Sequence, residues 1–284
     1  MTKRRSFRVS GTLSAPGLAE KRKTTALNVI AIIQARMGSE RLPKKVLLPL
    51  AGKTVLEHVV MRSQFSSRVN KVVVATTVAE EDLKIVRLCA EKKISVYVGS
   101  EEDVLDRYYQ AGRLFLADHI VRVTADCPAI DPGIIDRTII HHLRTHSDYT
   151  SNTLSETFPD GQDVEVFTMA ALTHAWKEAL LASQREHVTP YMKDHPKLFK
   201  VETVLHKENL GKMRWTLDHV EDYHFLRGIF KALYKKKKIF GMREIVDFLK
   251  GHPEMEKINR HIKRNAGYQK SLLQDHLQKG QKKG

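Results

Sequence analysis

A chain of 284 residues, 42% of them apolar, can bury a core of its own, and no stretch approaches the roughly 20 uninterrupted apolar residues that a membrane helix needs. Its two cysteines, Cys89 and Cys127, form neither a disulfide framework nor a zinc-ligand pattern, so a reducing, cytoplasmic setting is expected. The net charge of +15 gathers at the ends: residues 1–27 hold seven Lys/Arg against Glu20 alone, and residues 250–284 hold nine against three acids, which leaves the body nearly balanced. Residues 1–27 lack the apolar segment of a secretory signal and read as a basic disordered tail; residues 250–284 read as a basic C-terminal helical extension and tail. Nucleic-acid binding through these tails is an alternative, but neither carries a recognisable motif or interleaved aromatics, so neither nucleic acid nor membrane is an expected partner.

From residue 28 the elements alternate. "NVIAII" reads as a buried strand, "TVLEHVVMRSQF" as a helix, "KVVVATT" as a strand and "EEDLKIVRLCAEKK" as a helix. "ISVYVG", the long helix "EEDVLDRYYQAGRLF", the strand "HIVRVTAD" and the helix "PGIIDRTIIHHLRTH" continue the pattern, with Pro132 suited to a first turn. Continuous apolar strands between amphipathic helices predict a mostly parallel sheet covered on both faces, with ligands at the carboxyl ends of its strands. After residue 147 the pattern changes. "DYTSN", "DVEVF", "FKVETVLH" and "KMRWTLD" read as shorter strands, interleaved with helices over "MAALTHAWKEALL", "REHVTPYMKDH" and "VEDYHFLRGIFKALY". The expected organisation is one domain over 28–249: a first half to about 147, then an insertion with antiparallel strands that returns to the sheet.

The stretch "IIQARMGSERLPKKVL" carries the most chemistry. A strand ends at Gln34, and a Gly/Ser loop follows with Arg36, Arg41, Lys44 and Lys45. Such a loop suits a polyanion, because backbone N–H groups, forked guanidinium groups and ammonium groups all complement phosphate oxygens. It is neither a Walker loop nor GxGxxG. On these residues alone, an anion site and a solvated basic loop remain equally open. Asp126 ends a strand, where a metal ligand belongs, and also precedes Cys127-Pro128, where an acid shapes a turn. Asp218 reads as a strand-end ligand or as a helix N-cap. No His/Asn arrangement accompanies Cys127, so it reads as a small packed residue. Asp163 and Glu165 alternate with Val164 and Val166, as in any amphipathic strand or in a polar pocket. Arg107 reads as a cation on an amphipathic helix.

"IIQARMGSERLPKKVL" closely resembles the ARxxSxRLPxK signature of cytidylyltransferases that make CMP-sugars. "GSEEDVLDRYY", "RVTADCPAIDP", "SNTLSETFPDGQDVEVF", "REHVTPY", "RWTLDHVEDY" and "RNAGYQKSL" extend the likeness over roughly residues 28–275, most closely to the spore-coat polysaccharide type. The resemblance implies an α/β fold, the GT-A-like α/β/α sandwich of nucleotide-diphospho-sugar transferases, with a mostly parallel sheet and a small antiparallel insertion. It implies condensation of CTP with a sugar, including an acidic nonulosonate-type sugar, to CMP-sugar and pyrophosphate. It also implies a homodimer. It assigns Arg36, Arg41 and Lys45 to catalysis on the triphosphate, and Ala35, Ser39, Thr76, Thr77, Asp106 and Arg107 beside them to the nucleotide. Asp126 and Asp218 would hold Mg2+, and Asn152, Asp160, Asp163, Glu165, Arg185, Glu186 and His187 would meet the sugar. One departure is Lys44, where the family usually has Gly. A glycosyltransferase of the same fold is the nearest alternative; that class usually carries a DxD motif where this chain has "ADCP".

Overall fold

The computed structural model describes residues 27–281; the basic tail expected over the preceding residues lies outside them. The chain opens with β1 (Val29–Gln34), then a hairpin of β2 (Pro49–Leu50) and β3 (Lys53–Thr54), and α1 (Val55–Gln64). Next come β4 (Lys71–Thr77), α2 (Leu83–Glu91), β5 (Ser95–Gly99), α3 (Val104–Leu114), β6 (His119–Thr124) and α4 (Pro132–Thr145). The second half contains β7 (Tyr149–Ser151), β8 (Glu165–Thr168), α5 (Met169–Glu178), α6 (Ala182–His187), α7 (Pro190–Asp194) and β9 (Val201–Thr203). It closes with α8 (Val220–Leu233), α9 (Met242–Lys250), α10 (Pro253–Glu256) and α11 (Ala266–Gln281). No helix among the described residues is long and apolar enough to cross a membrane.

Seven strands form one sheet in the order β5-β4-β1-β6-β8-β7-β9. β5, β4, β1 and β6 are parallel neighbours, β8 runs antiparallel to both β6 and β7, and β9 is parallel to β7. The sheet is covered on both faces, as continuous apolar strands require. Ala31 and Ile33 of β1 pack with Leu56, Val59, Ile85 and Ile135 of α1, α2 and α4, while Ile30 and Ile32 face Leu105, Tyr108 and Leu172 of α3 and α5. Local chemistry fixes the helix starts. Thr54 and Glu57 form a reciprocal capping box on α1, Asp103 caps α3 through the Asp106 N–H, and Asp131 caps α4 with Pro132 in its first turn.

Two expected elements differ. "KMRWTLD" is extended without being a strand of the sheet: Asp160 and Arg214 form a single bridge. The Trp215 N–H donates to the Asp160 carbonyl (2.7 Å) and the Leu217 N–H to the Asp126 carbonyl (2.9 Å). Gly161, at φ +98°, permits this contact, because a Cβ there would stand 2.6 Å from the Thr216 nitrogen. The helix expected over "REHVTPYMKDH" breaks in two. Val188 sits at φ 70°, ending α6, and Pro190 opens α7 in a first turn, where its missing N–H costs nothing. Within the region expected as a basic C-terminal helical extension, α11 packs against α6. Ser271 of α11 bonds to Glu186 and His187, and Asp275 accepts from the Ser183 N–H (3.2 Å).

Candidate active site

At the carboxyl ends of β1 and β6 opens a cavity of about 810 Å³. Its first wall is the loop after β1. The Ala35 N–H still pairs with β4 through the Ala75 carbonyl (3.0 Å), and the next turn is closed by Ser39 N–H and Lys44 N–H donating to the Met37 carbonyl (2.9 and 3.1 Å). Lys44 lies in the left-handed region (φ 61°, ψ 18°), which favours glycine. A side chain at position 44 therefore carries a backbone cost. Lys44→Gly is expected to stabilise the protein by about 1 kcal/mol or less, the relief being partly cancelled by glycine's unfolded-state entropy; urea denaturation measures it. An unchanged or lowered midpoint would show that the loop bears no strain at Lys44.

Lys45 follows at the start of a short 3-10 turn and points inward. Its Nζ donates to Asp126 Oδ2 (2.6 Å) and Asp218 Oδ1 (2.7 Å), and Arg41 Nη2 meets the same Asp218 oxygen at 2.9 Å. Burial opposes the charged form of Asp218, but Lys45 and Arg41 outweigh it and hold the carboxyl well below its usual range. Burial likewise opposes charge on Lys45, and the two carboxylates overcome it and raise its pKa. Behind them Arg214 contacts Asp160 (2.7 Å), both oxygens of Asp222 (2.9 Å each) and Asp218 (3.4 Å).

The far side of the cavity is rich in paired charge. Arg122 bonds to Glu165, which also accepts from Tyr149 Oη (2.5 Å) and Thr189 Oγ1 (2.6 Å). Arg264 reaches Asp163 (2.7 Å). Burial raises the Asp163 carboxyl to about 7, partly offset by Arg264, and raises Asp160 as well, against the pull of Arg264 and Arg214. α11 completes it with Tyr268, whose ring meets His187 edge-on at 5.0 Å and lies under Lys193 Nζ at 4.5 Å. Burial pushes His187 down to about 4, which keeps the ring neutral.

Of the residues singled out from sequence, Ala35, Arg36, Ser39, Arg41, Lys45, Arg107, Asp126, Asp160, Asp163, Glu165, Glu186, His187 and Asp218 line this cavity. Arg107 is 2% exposed, and its Nε and Nη1 find no protein partner among the described residues, so this buried guanidinium on the cavity wall retains hydrogen-bonding capacity for a ligand. Five residues are turned to other tasks. Arg185 faces Asp103 and the Trp176 carbonyl (2.6 Å), tying α6 to α3 instead of meeting a sugar. Asp106 accepts from Trp176 Nε1 (2.8 Å) and Gln110. Asn152 is consumed by the Gln162 carbonyl and the Val164 N–H. The Thr76 and Thr77 hydroxyls both donate to Asp82.

Asp82, which falls inside the helix expected over "EEDLKIVRLCAEKK", was not singled out from sequence. It is 1% exposed; one oxygen accepts from the Met37 N–H (2.7 Å) and the other from Thr76, Thr77 and the Thr77 N–H. It thus fastens the loop after β1 to the end of β4. Asp82→Ala is expected to cost about 1–3 kcal/mol, because it orphans buried donors. Urea denaturation measures the loss. Arg122, Arg214 and Arg264 were also missed. The one local signal was Arg122, a cation between the valines of a buried strand.

The donor set suits a hard divalent ion. Two carboxylate oxygens, one from the end of β6 and one from before α8, already converge on a single cationic nitrogen. No group of three or more His, Cys, Asp or Glu placed for a metal occurs among the described residues. Two protein carboxylates match Mg2+, which keeps several waters and takes further oxygens from substrate phosphates.

The chain is 38% identical over 247 residues to an uncharacterized protein of Methanocaldococcus jannaschii, covering 84% of this chain and 98% of the other. It is 31% identical over 233 residues to the spore coat polysaccharide biosynthesis protein SpsF of Bacillus subtilis, covering 80% and 96%. A solved cytidylyltransferase from Leptospira borgpetersenii superposes with a TM-score of 0.79 at 32% identity, covering 84% of this chain and all of that one. The sequence model of the cytidylyltransferases matches residues 30–266, and the chain belongs to that family.

Proposed function

We propose that this cytidylyltransferase condenses CTP with a sugar to give a CMP-sugar and pyrophosphate, with Mg2+ as cofactor, in the cytoplasm, as a homodimer, for surface polysaccharide or glycoconjugate synthesis. One observation carries the reading: the cationic loop and the converged pair Asp126 and Asp218 open onto one cavity, opposite a wall of hydrogen-bonding side chains. Arg36, Arg41 and Lys45 would hold the triphosphate and stabilise the departing pyrophosphate. A sugar hydroxyl held against the far wall would attack the α-phosphorus in line; the new P–O bond forms as the bond to pyrophosphate breaks, and the hydroxyl proton passes to solvent. Asp126 and Asp218 would hold Mg2+, which when bound offsets triphosphate charge and polarises the α-phosphate. Asp160, Asp163, Glu165, Glu186 and His187 would meet the sugar, with Arg122 and Arg264 nearest to any carboxylate it bears.

Pyrophosphate release from CTP, Mg2+ and a panel of sugars and sugar acids tests the reading. Release is expected with CTP well above UTP, ATP or GTP, and only when a sugar is added. Sugar transfer from a preformed nucleotide-sugar without pyrophosphate release would instead make the protein a glycosyltransferase.

A further inference from the structure

We infer that Lys45 is an exchangeable counter-ion: its ammonium holds Asp126 and Asp218 together at the metal position, and it must move to the triphosphate before the metal can settle there. The inference rests on the reading of those aspartates as the metal pair. Three observations carry it. First, the Lys45 Nζ is within 2.6 and 2.7 Å of one oxygen from each aspartate, so it sits where an ion shared by both carboxylates would sit. Second, its side chain is only 13% exposed, and the carboxylates are 22% and 20% exposed, so solvent screens the trio weakly. Third, Arg214 and Arg41 already bond to Asp218 without reaching Asp126, so Lys45 is the one cation bridging the pair among the described residues.

The physics follows from charge. Two partly buried carboxylates that share a site repel each other and need positive charge between them. With Lys45 in place that need is met, and a divalent ion arriving alone would have to displace a well-bonded ammonium while gaining only two protein ligands. An ion arriving on the triphosphate brings anionic oxygens to which the freed ammonium can transfer. Lys45 would exchange two carboxylate bonds for phosphate bonds, and the carboxylates would exchange one cation for another. Lys45 opens a short 3-10 turn, and the bonds its ammonium makes among the described residues are the two to Asp126 and Asp218, so no other protein partner has to be broken for it to move. The consequence is an order of loading: metal and nucleotide enter together, and the free enzyme takes up metal poorly.

Binding of Mn2+ alone, followed by the electron paramagnetic resonance of the free ion, tests this on the full chain. Lys45→Met is expected to bind Mn2+ at least tenfold more tightly than the wild type when no nucleotide is present. Its melting temperature should rise on adding Mn2+, whereas that of the wild type should barely move. Adding CTP should raise Mn2+ uptake by the wild type beyond what CTP alone takes up. If Lys45→Met is too unstable to purify, Lys45→Gln, which keeps a neutral donor between the carboxylates, should show the same direction. Equal Mn2+ affinity in the wild type and in either variant would overturn the inference. Absence of CTP binding by calorimetry would instead count against the nucleotide reading, leaving the metal comparison to stand or fall on its own.

Discussion

Asp218→Asn is expected to lower kcat by roughly a hundredfold or more, and Asp126→Asn by a similar factor, with circular dichroism unchanged in both. Each substitution removes one of the two negative oxygens that meet at Lys45, and with it the local charge that, in the proposed reaction, would hold a divalent ion. The double variant should be little worse than either single one, because both steps remove the same ion. Rates measured under saturating CTP and sugar, across a Mg2+ titration, decide the matter. A full recovery of kcat at high Mg2+ would locate the defect in metal affinity, whereas nearly additive losses would show that the two carboxylates act separately.

Arg214→Met should have the largest effect on stability, about 3–5 kcal/mol, as for one partner lost from a buried ion pair. Asp222 is fully buried, and both its oxygens bond to this guanidinium; Asp160 gives a third contact. Arg214→Lys should recover only part of the loss, because an ammonium cannot serve Asp160 and both Asp222 oxygens as the planar fork does. The Asp222 carboxylate also accepts the Asp218 and His219 N–H groups (2.9 Å each), so the damage should spread to the position of Asp218. Urea denaturation gives the stability term. A parallel fall in kcat for Arg214→Lys, in a folded protein, would confirm that the fork also positions the carboxylate. If Arg214→Met unfolds with a wild-type midpoint, the guanidinium contributes nothing net.

What could be read in advance divides along physical lines. The parallel sheet was legible because β1, β4 and β6 carry short apolar runs and the helices between them are amphipathic, a pattern that follows from burial alone. On its residues alone the loop after β1 left an anion site and a solvated basic turn equally open; only the fold sets it beside Asp126, which follows β6, and Asp218, which follows an extended segment outside the sheet. Partner choice among buried polar groups was not legible. Nothing local in "REHVTPY" says that Arg185 turns to Asp103 while Glu186 faces the cavity. The Thr76 and Thr77 hydroxyls and Asp82 are close in sequence, but their meeting with Met37 depends on how β4 and the loop after β1 lie side by side. Arg214 serves carboxylates both near in sequence and 54 positions away, and only the tertiary fold brings those together.

The α11 wall has a consequence for how the protein comes into being. The loop holding Arg36 to Lys45 is among the first described parts to leave the ribosome, and Lys270, which bonds to Glu40 at 3.1 Å across the cavity mouth, lies 230 positions later. The parallel strands β1, β4, β5 and β6 can pair while synthesis continues, since domains tend to fold from the N-terminal side as the chain emerges. Tyr268 and Ser271 cannot join them until nearly all of the described chain has been made. A nascent chain would therefore own the cation-bearing loop well before it owns the wall that α11 supplies, and a ligand that needs both would be held only when α11 docks.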